Sequence, residues 1–393
     1  MAPQAIDSVA PDGKIPSTQS YSLGVQRNIG RGIVVDAAYV ATLGRHLLQD
    51  VNLDDVPYFT TFQRSAQDPA LYPGGVVPTV EAGLPSAYSA AGYSFEGDKA
   101  LPANFLVPYP GYSSINYHQT TGSSNYNALQ LTVRHSIGHG LTFNMAYSYS
   151  KAFDTGSADF AANNPYNTRA YDYQLASFDR TNVLTVNYVY DLPRIPLHFT
   201  GGRLAGVLLN DWHISGLTSH SSGAPYGLTE TINGVTAGQV ILGTYSIAPS
   251  LYRVAGAPAS ADGSAINPAA YYAPGIGNIG PYPQTYLREP GITNSDISFY
   301  KNIALAHDGR RFLQFRVEMF NAFNHTEFSS INAATQLTAN GATGSAILNS
   351  YPNVSITNNL RPAGSTAPLG QYFGEYNAAA NPRNIQIGAK LYF

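Results

Sequence analysis

The chain has 393 residues, a net charge of −3 and only 11% charged residues, well under the ~25% usual in soluble domains. The slight acidic balance leaves no electrostatic footprint for nucleic acid, and the absence of cysteine excludes a disulfide framework and thiolate chemistry. No run of about eighteen apolar residues exists, so no transmembrane helix is predicted.

Residues 1–17 read as an irregular lead-in or loop remnant. The first ten carry neither the basic nor the apolar region of an export signal, so an exported protein with this start is expected to be the back part of something longer. Strands are predicted near 18–27, 32–42, 124–135, 140–152, 179–190, 210–221, 294–303, 311–323 and 383–393, from alternation with period two. Ile33, Val35, Ala37 and Tyr39 oppose Asp36. Leu129, Leu131 and Val133 alternate with Gln130, Thr132 and Arg134. Leu141, Phe143, Met145, Tyr147 and Tyr149 alternate with Thr142, Asn144, Ala146, Ser148 and Ser150. Leu184, Val186, Tyr188 and Tyr190 alternate with Thr185 and Asn187. Leu313, Phe315, Val317 and Met319 alternate with Gln314, Arg316 and Glu318, and Ile385, Ile387, Ala389, Leu391 and Phe393 alternate with Gln386, Gly388 and Lys390.

Two all-β architectures show such alternation. A soluble β-sandwich, as in a surface binding or adhesion protein, turns the apolar face inward; an antiparallel up-and-down transmembrane β-barrel turns it to lipid. Link lengths favour the barrel. Shorter links at 28–31, 136–139, 191–209 and 304–310 alternate with long ones at about 43–123, 153–178, 222–293 and 324–382, as periplasmic turns alternate with outside loops; 191–209 is long for such a turn. The 29 Tyr and 17 Phe suit the aromatic girdles at a barrel's rims. The fold class is therefore a partial barrel of about nine strands with long extracellular loops, occupying 18–393.

The alternation assigns faces. Leu129, Leu131, Val133, Phe143, Met145, Leu313, Phe315, Val317, Met319, Ile385, Ile387 and Leu391 are expected to meet outer-membrane lipid. Gln130, Arg134, Asn144, Asn187, Gln314, Arg316, Glu318, Gln386 and Lys390 are expected to line a polar lumen, with Arg316 and Glu318 as an ion pair. Other motifs read as structural. Gly275, Gly277 and Gly280 match G-x-G-x-x-G, but Pro274, Pro281 and Pro283 forbid the helix a dinucleotide site needs. His135 and His139 flank a turn, and His213 and His220 have odd spacing, hence opposite faces; no metal is expected. Asp154, Asp159, Asp172 and Asp179 with Asn163, Asn164 and Asn167 lack EF-hand spacing and read as loop residues rather than a calcium site. No nucleophile elbow or phosphate loop appears, so neither enzymatic activity nor a cofactor is expected.

Several blocks resemble the barrel of Oar-like TonB-dependent outer-membrane transporters, over roughly 18–393. They are 126–131, 140–143 and 147–151; Phe178-Asp179-Arg180 leading into 186–193; 211–216 around Trp212; 296–302; 315–325, with Phe320-Asn321-Ala322-Phe323-Asn324; and 382–393. The resemblance implies a bacterial outer-membrane location and passage of an unknown solute. It implies a barrel of about 22 strands, preceded by a plug and a carboxypeptidase-regulatory-like sandwich. Contact with TonB then comes only through that plug, which this chain does not show. Phe393 resembles the terminal aromatic that the barrel-assembly machinery reads.

Overall fold

The computed structural model describes the chain apart from residues 1–3, 12, 137–139, 159–161, 164, 167–168, 197–205, 207, 233–234, 254–265, 268–269, 282–286, 306–310, 338–364 and 369–370. His139, Asp159, Asn164, Asn167 and Pro283 lie outside the described residues. One large sheet is built from β1 (Gln4–Val9), β2 (Ser17–Gly30), β3 (Ile33–Asn52), β4 (Tyr112–Ser136), β5 (Leu141–Asp154), β6 (Asn182–Asp191), β7 (Trp212–Ser221), β8 (Ile292–Ala304), β9 (Phe312–Phe320) and β10 (Asn384–Tyr392). From β2 to β10 each strand bonds to the next in chain order, a nine-strand meander whose successive pairs are all antiparallel. Gly30, Arg31 and Gly32 all adopt positive φ at the β2–β3 turn, where two glycines relieve the strain of the left-handed region. Among the described residues, the outer edges of β2 and β10 pair with no strand.

The nine expected strands are all present, but two are much longer than the alternation shows. β3 continues to Asn52 and β4 starts at Tyr112, so the first long link spans 53–111 instead of 43–123. Register shifts fall between Arg45 and Leu47 and between Leu47 and Gln49, and His46 has φ 55°. Such bulges insert extra residues and break the period of two. At the other extreme, β9 stops at Phe320, short of 323. Asn321 and Asn324 both take positive φ; Asn321 Nδ2 donates to His325 O at 2.9 Å, and Asn324 Oδ1 accepts from Arg383 N at 3.1 Å. The Phe-Asn-Ala-Phe-Asn block is thus a knot that ends one strand and sets the start of the next. Within the stretch expected to be irregular, β1 pairs parallel with the projecting end of β4, Gln4 opposite Tyr112 through Val9 opposite His118.

The hydrophobic core is not in the sheet. Its buried members come from all four long links: Phe62 and Tyr88 from the first, Tyr171 from the second, Ile241 and Tyr271 from the third, Phe373 from the fourth. The links therefore form one packed cap over a single end of the sheet. A short helical turn, Gly238–Leu242, is buried along its whole length and clasped by the first link. Thr61 Oγ1 donates to Gln239 O at 2.7 Å, Gln239 Nε2 to Gly97 O at 2.7 Å, Thr244 Oγ1 to Val56 O at 2.5 Å, and Tyr88 Oη to Val240 O. These bonds satisfy backbone carbonyls that irregular buried chain would otherwise leave unpaired.

Candidate functional site: the polar face and its cap

Cross-strand partners in an antiparallel ladder share a face, so the register sorts every wall residue. Arg134 opposes Asn144, and Asn144 opposes Asn187. Gln130 opposes Ser148. Gln314 opposes Asn302 on one side and Lys390 on the other, and Glu318 opposes Ser298 and Gln386. Followed from β4 to β10, this ladder places the nine residues singled out as polar on one face of the sheet. The twelve apolar residues fall on the other: Leu131 opposes Tyr147, Val133 opposes Met145, Val317 opposes Phe299 and Ile387, and Met319 opposes Ile385. That face is open; Ile387 is 71% and Leu129 51% exposed.

The polar face carries a connected row across four strands. His213 Nδ1 lies 2.5 Å from Asp191 Oδ1. The His213 ring stacks on Tyr300, centroids 4.7 Å apart. The Arg316 guanidinium sits over the Tyr300 ring at 5.7 Å, and Arg316 Nη1 reaches Glu318 Oε1 at 3.3 Å. The row sets two carboxylates against two cationic or protonatable groups, so opposite charges offset one another along it. Sequence reasoning gave Arg316 and Glu318 but missed Asp191, His213 and Tyr300. Their shared face follows from the β6–β7–β8 register, and no single strand shows it. His213 and His220 do take opposite faces, His220 Nδ1 meeting Thr293 Oγ1 at 2.7 Å.

Among the described residues several charges lie in the apolar register, Arg27 opposite Val35, Lys151 opposite Asn127 and Lys301 opposite Phe315, and Lys301 is the buried one. Lys301 is 4% exposed; its ammonium donates to Asn210 O and lies 5.4 Å over the Trp212 ring. The stem thus runs along apolar surface while the head reaches the short-link rim, as amphipathic side chains do at interfaces.

Wall and cap are joined by Asp179, 2% exposed. It accepts from Ala152 N at 2.7 Å and pairs with Arg288 of the third long link, which also donates to Gly223 O at 3.0 Å. Within the cap, burial and the neighbouring Glu81 charge hold the Asp98 carboxyl above its usual range. Burial opposes the charge of Lys99, but its contact with Glu81 outweighs this and raises its pKa. Gly277 and Gly280 take positive φ; a side-chain carbon at Gly280 would meet the Ser250 backbone, and one at Gly277 the Phe59 ring. The Gly-rich motif therefore serves close packing. No group of three or more metal-ligating His, Asp or Glu occurs among the described residues.

A family profile described as "Outer membrane beta barrel domain" matches residues 1–386. No curated protein of known function matches the sequence. Among solved structures, the outer membrane transporter YddB from Escherichia coli is similar at 9% identity and TM-score 0.40, over 87% of this chain and 32% of that one. The ferric-catecholate import receptor Fiu from Escherichia coli aligns at 9% identity and TM-score 0.38, over 97% and 28%. The FrpB iron transporter from Neisseria meningitidis aligns at 11% identity and TM-score 0.37, over 99% and 32%. The chain spans about a third of those proteins' length.

Proposed function

We propose that this chain, which belongs to the outer membrane beta barrel domain family and resides in the outer membrane, forms part of the wall of a TonB-dependent transporter, with the polar face lining the solute path. The observation that carries the reading is the register: one continuous ladder from β4 to β10 puts the nine polar residues on one face and the twelve apolar residues on the other. A lipid-facing exterior and a polar interior require that separation. The core-bearing cap then faces outside, and its loops meet solute as a packed body. The soluble sandwich is disfavoured, because the sheet's apolar face is open while the core sits in the links.

The edges support a completing partner. In an antiparallel meander of nine strands, the first and the ninth run the same way, so pairing β2 with β10 would make a parallel seam. Single-chain bacterial barrels keep antiparallel neighbours, and open edges in lipid leave backbone groups unsatisfied. An odd number of further strands restores antiparallel pairing at both seams. On this reading TonB acts through a plug outside the described elements, and Phe393, 97% exposed, is the mark the assembly machinery reads.

Because the chain has no cysteine, single-cysteine variants test the faces directly in outer membranes. Cysteines at Gln130 and Gln386 should react with a water-soluble maleimide, whereas those at Leu131 and Ile387 should react only with a lipid-soluble one. Equal reactivity of the two sets with the water-soluble reagent would remove the assignment.

A further inference from the structure

Across five neighbouring strands, β5 to β9, the polar face hollows into a trough of 490 Å³, within the range of about 300–1,000 Å³ typical of small-molecule sites. Most of its lining surface is apolar, Val189, Leu217 and Phe320 included, and its uncharged polar part is amide and hydroxyl, chiefly Asn144, Asn187, Ser215 and Ser298. Two carboxylates reach the trough, and both are committed. Asp296 Oδ1 accepts from Asn321 N at 2.9 Å and from Asn294 Nδ2 at 3.0 Å; Glu318 pairs with Arg316 at 3.3 Å. Asn144 Oδ1 and Ser298 Oγ have no hydrogen-bond partner among the described residues. Both atoms are buried, and both residues line the hollow, where a ligand hydroxyl would recover the missing bond.

We propose that this trough binds a neutral, polyhydroxylated solute, a sugar ring or a short oligosaccharide. Asn144, Asn187 and Ser298 bond its hydroxyls, and Leu217 and Phe320 pack on its C–H face. Neutral donors and acceptors beside exposed carbon suit a molecule that alternates the same two characters around a ring. An anionic ligand finds no cationic cluster, since the nearest guanidinium is already neutralised by Glu318. The inference rests on the reading that the polar face lines the solute path, and it adds the chemical class of the solute.

The test uses the full-length protein extracted from outer membranes in detergent and titrated calorimetrically with maltohexaose, cellohexaose and xylohexaose, with a sulfated maltohexaose, and with a glycine–serine peptide. At least one neutral oligosaccharide should bind, and Asn187→Leu and Ser298→Val should each weaken it about tenfold. Gln26→Leu, on the same face of β2 but away from the trough, should leave it unchanged. Heat-modifiable migration on gels confirms that each variant is folded; Asn187→Thr substitutes for a leucine variant that is not. Failure of every neutral oligosaccharide, tighter binding of the sulfated sugar, binding of the peptide alone, or sugar binding indifferent to Asn187 and Ser298 would each overturn the inference. Water-soluble maleimide on cysteines at 187 and 298 separates the two failures. Reactive cysteines without sugar binding sink only the inference, and unreactive ones sink the lumen reading beneath it.

Discussion

Val317 and Glu318 are adjacent on β9 and point to opposite faces, which makes them a matched pair for measuring what each face meets. Val317 lies five residues beyond the start of β9 at Phe312. At ~3.3 Å per residue that is ~16 Å along the strand. A strand tilt of ~40° reduces it to a height of ~12 Å, half of an apolar band ~25 Å tall. An arginine placed there meets the hydrocarbon midplane, where it costs about 2–4 kcal/mol. Its register neighbours Phe299 and Ile387 offer no acceptor to offset that. Glu318→Gln removes only an ion pair at 3.3 Å whose partners are each about a third exposed, worth about 0–1 kcal/mol, and leaves an amide on a polar surface. Reversible urea unfolding of the full-length protein in lipid vesicles, read by tryptophan fluorescence and gel migration, gives both numbers. Equal destabilisation by the two substitutions, or a cost under about 1 kcal/mol for Val317→Arg, would refute the assignment of the apolar face to lipid.

Three further outcomes are expected. Asp179→Ala strands Arg288 and frees Ala152 N in a buried site, at a cost of about 3–5 kcal/mol; it should expose the 222–291 link to protease, while Asp179→Asn, which keeps an acceptor for Ala152 N, should protect it better. Asp98 is raised above 3.8 by burial and by Glu81, so its contribution to folding is fully present below pH 3.8 and is lost as pH rises through its folded pKa; Asp98→Asn should therefore raise the midpoint of cap unfolding at neutral pH and leave it unchanged in acid, as followed by proteolysis against pH. Deleting Phe393 should lower the outer-membrane yield in cells with synthesis intact, and unchanged fractionation would count against a terminal assembly signal.

What the sequence shows and what it hides follow from two different ways of holding chain in place. The wall is held by backbone ladders, and a ladder imposes one period on every side chain, so Leu129 to Arg134 or Leu313 to Met319 reveal strand and face by inspection. The same rule fails where a bulge adds a residue. Leu47 and Leu48 are adjacent, and with His46 in the left-handed region they hide ten residues of β3 and, through it, the projecting end of β4. The cap follows no period at all. Phe62, Tyr88, Ile241 and Phe373 meet only because four links converge, and turn-forming Pro and Gly between them carry no signal of which link packs on which. The row from Asp191 to Glu318 is intermediate. Each member has the right parity on its own strand, but their contact depends on β6, β7, β8 and β9 lying side by side in one register. Sites of that kind can be found from sequence only after the strand order is known, because ladder neighbours lie tens of residues apart in the chain and a one-residue slip would move each member to the opposite face.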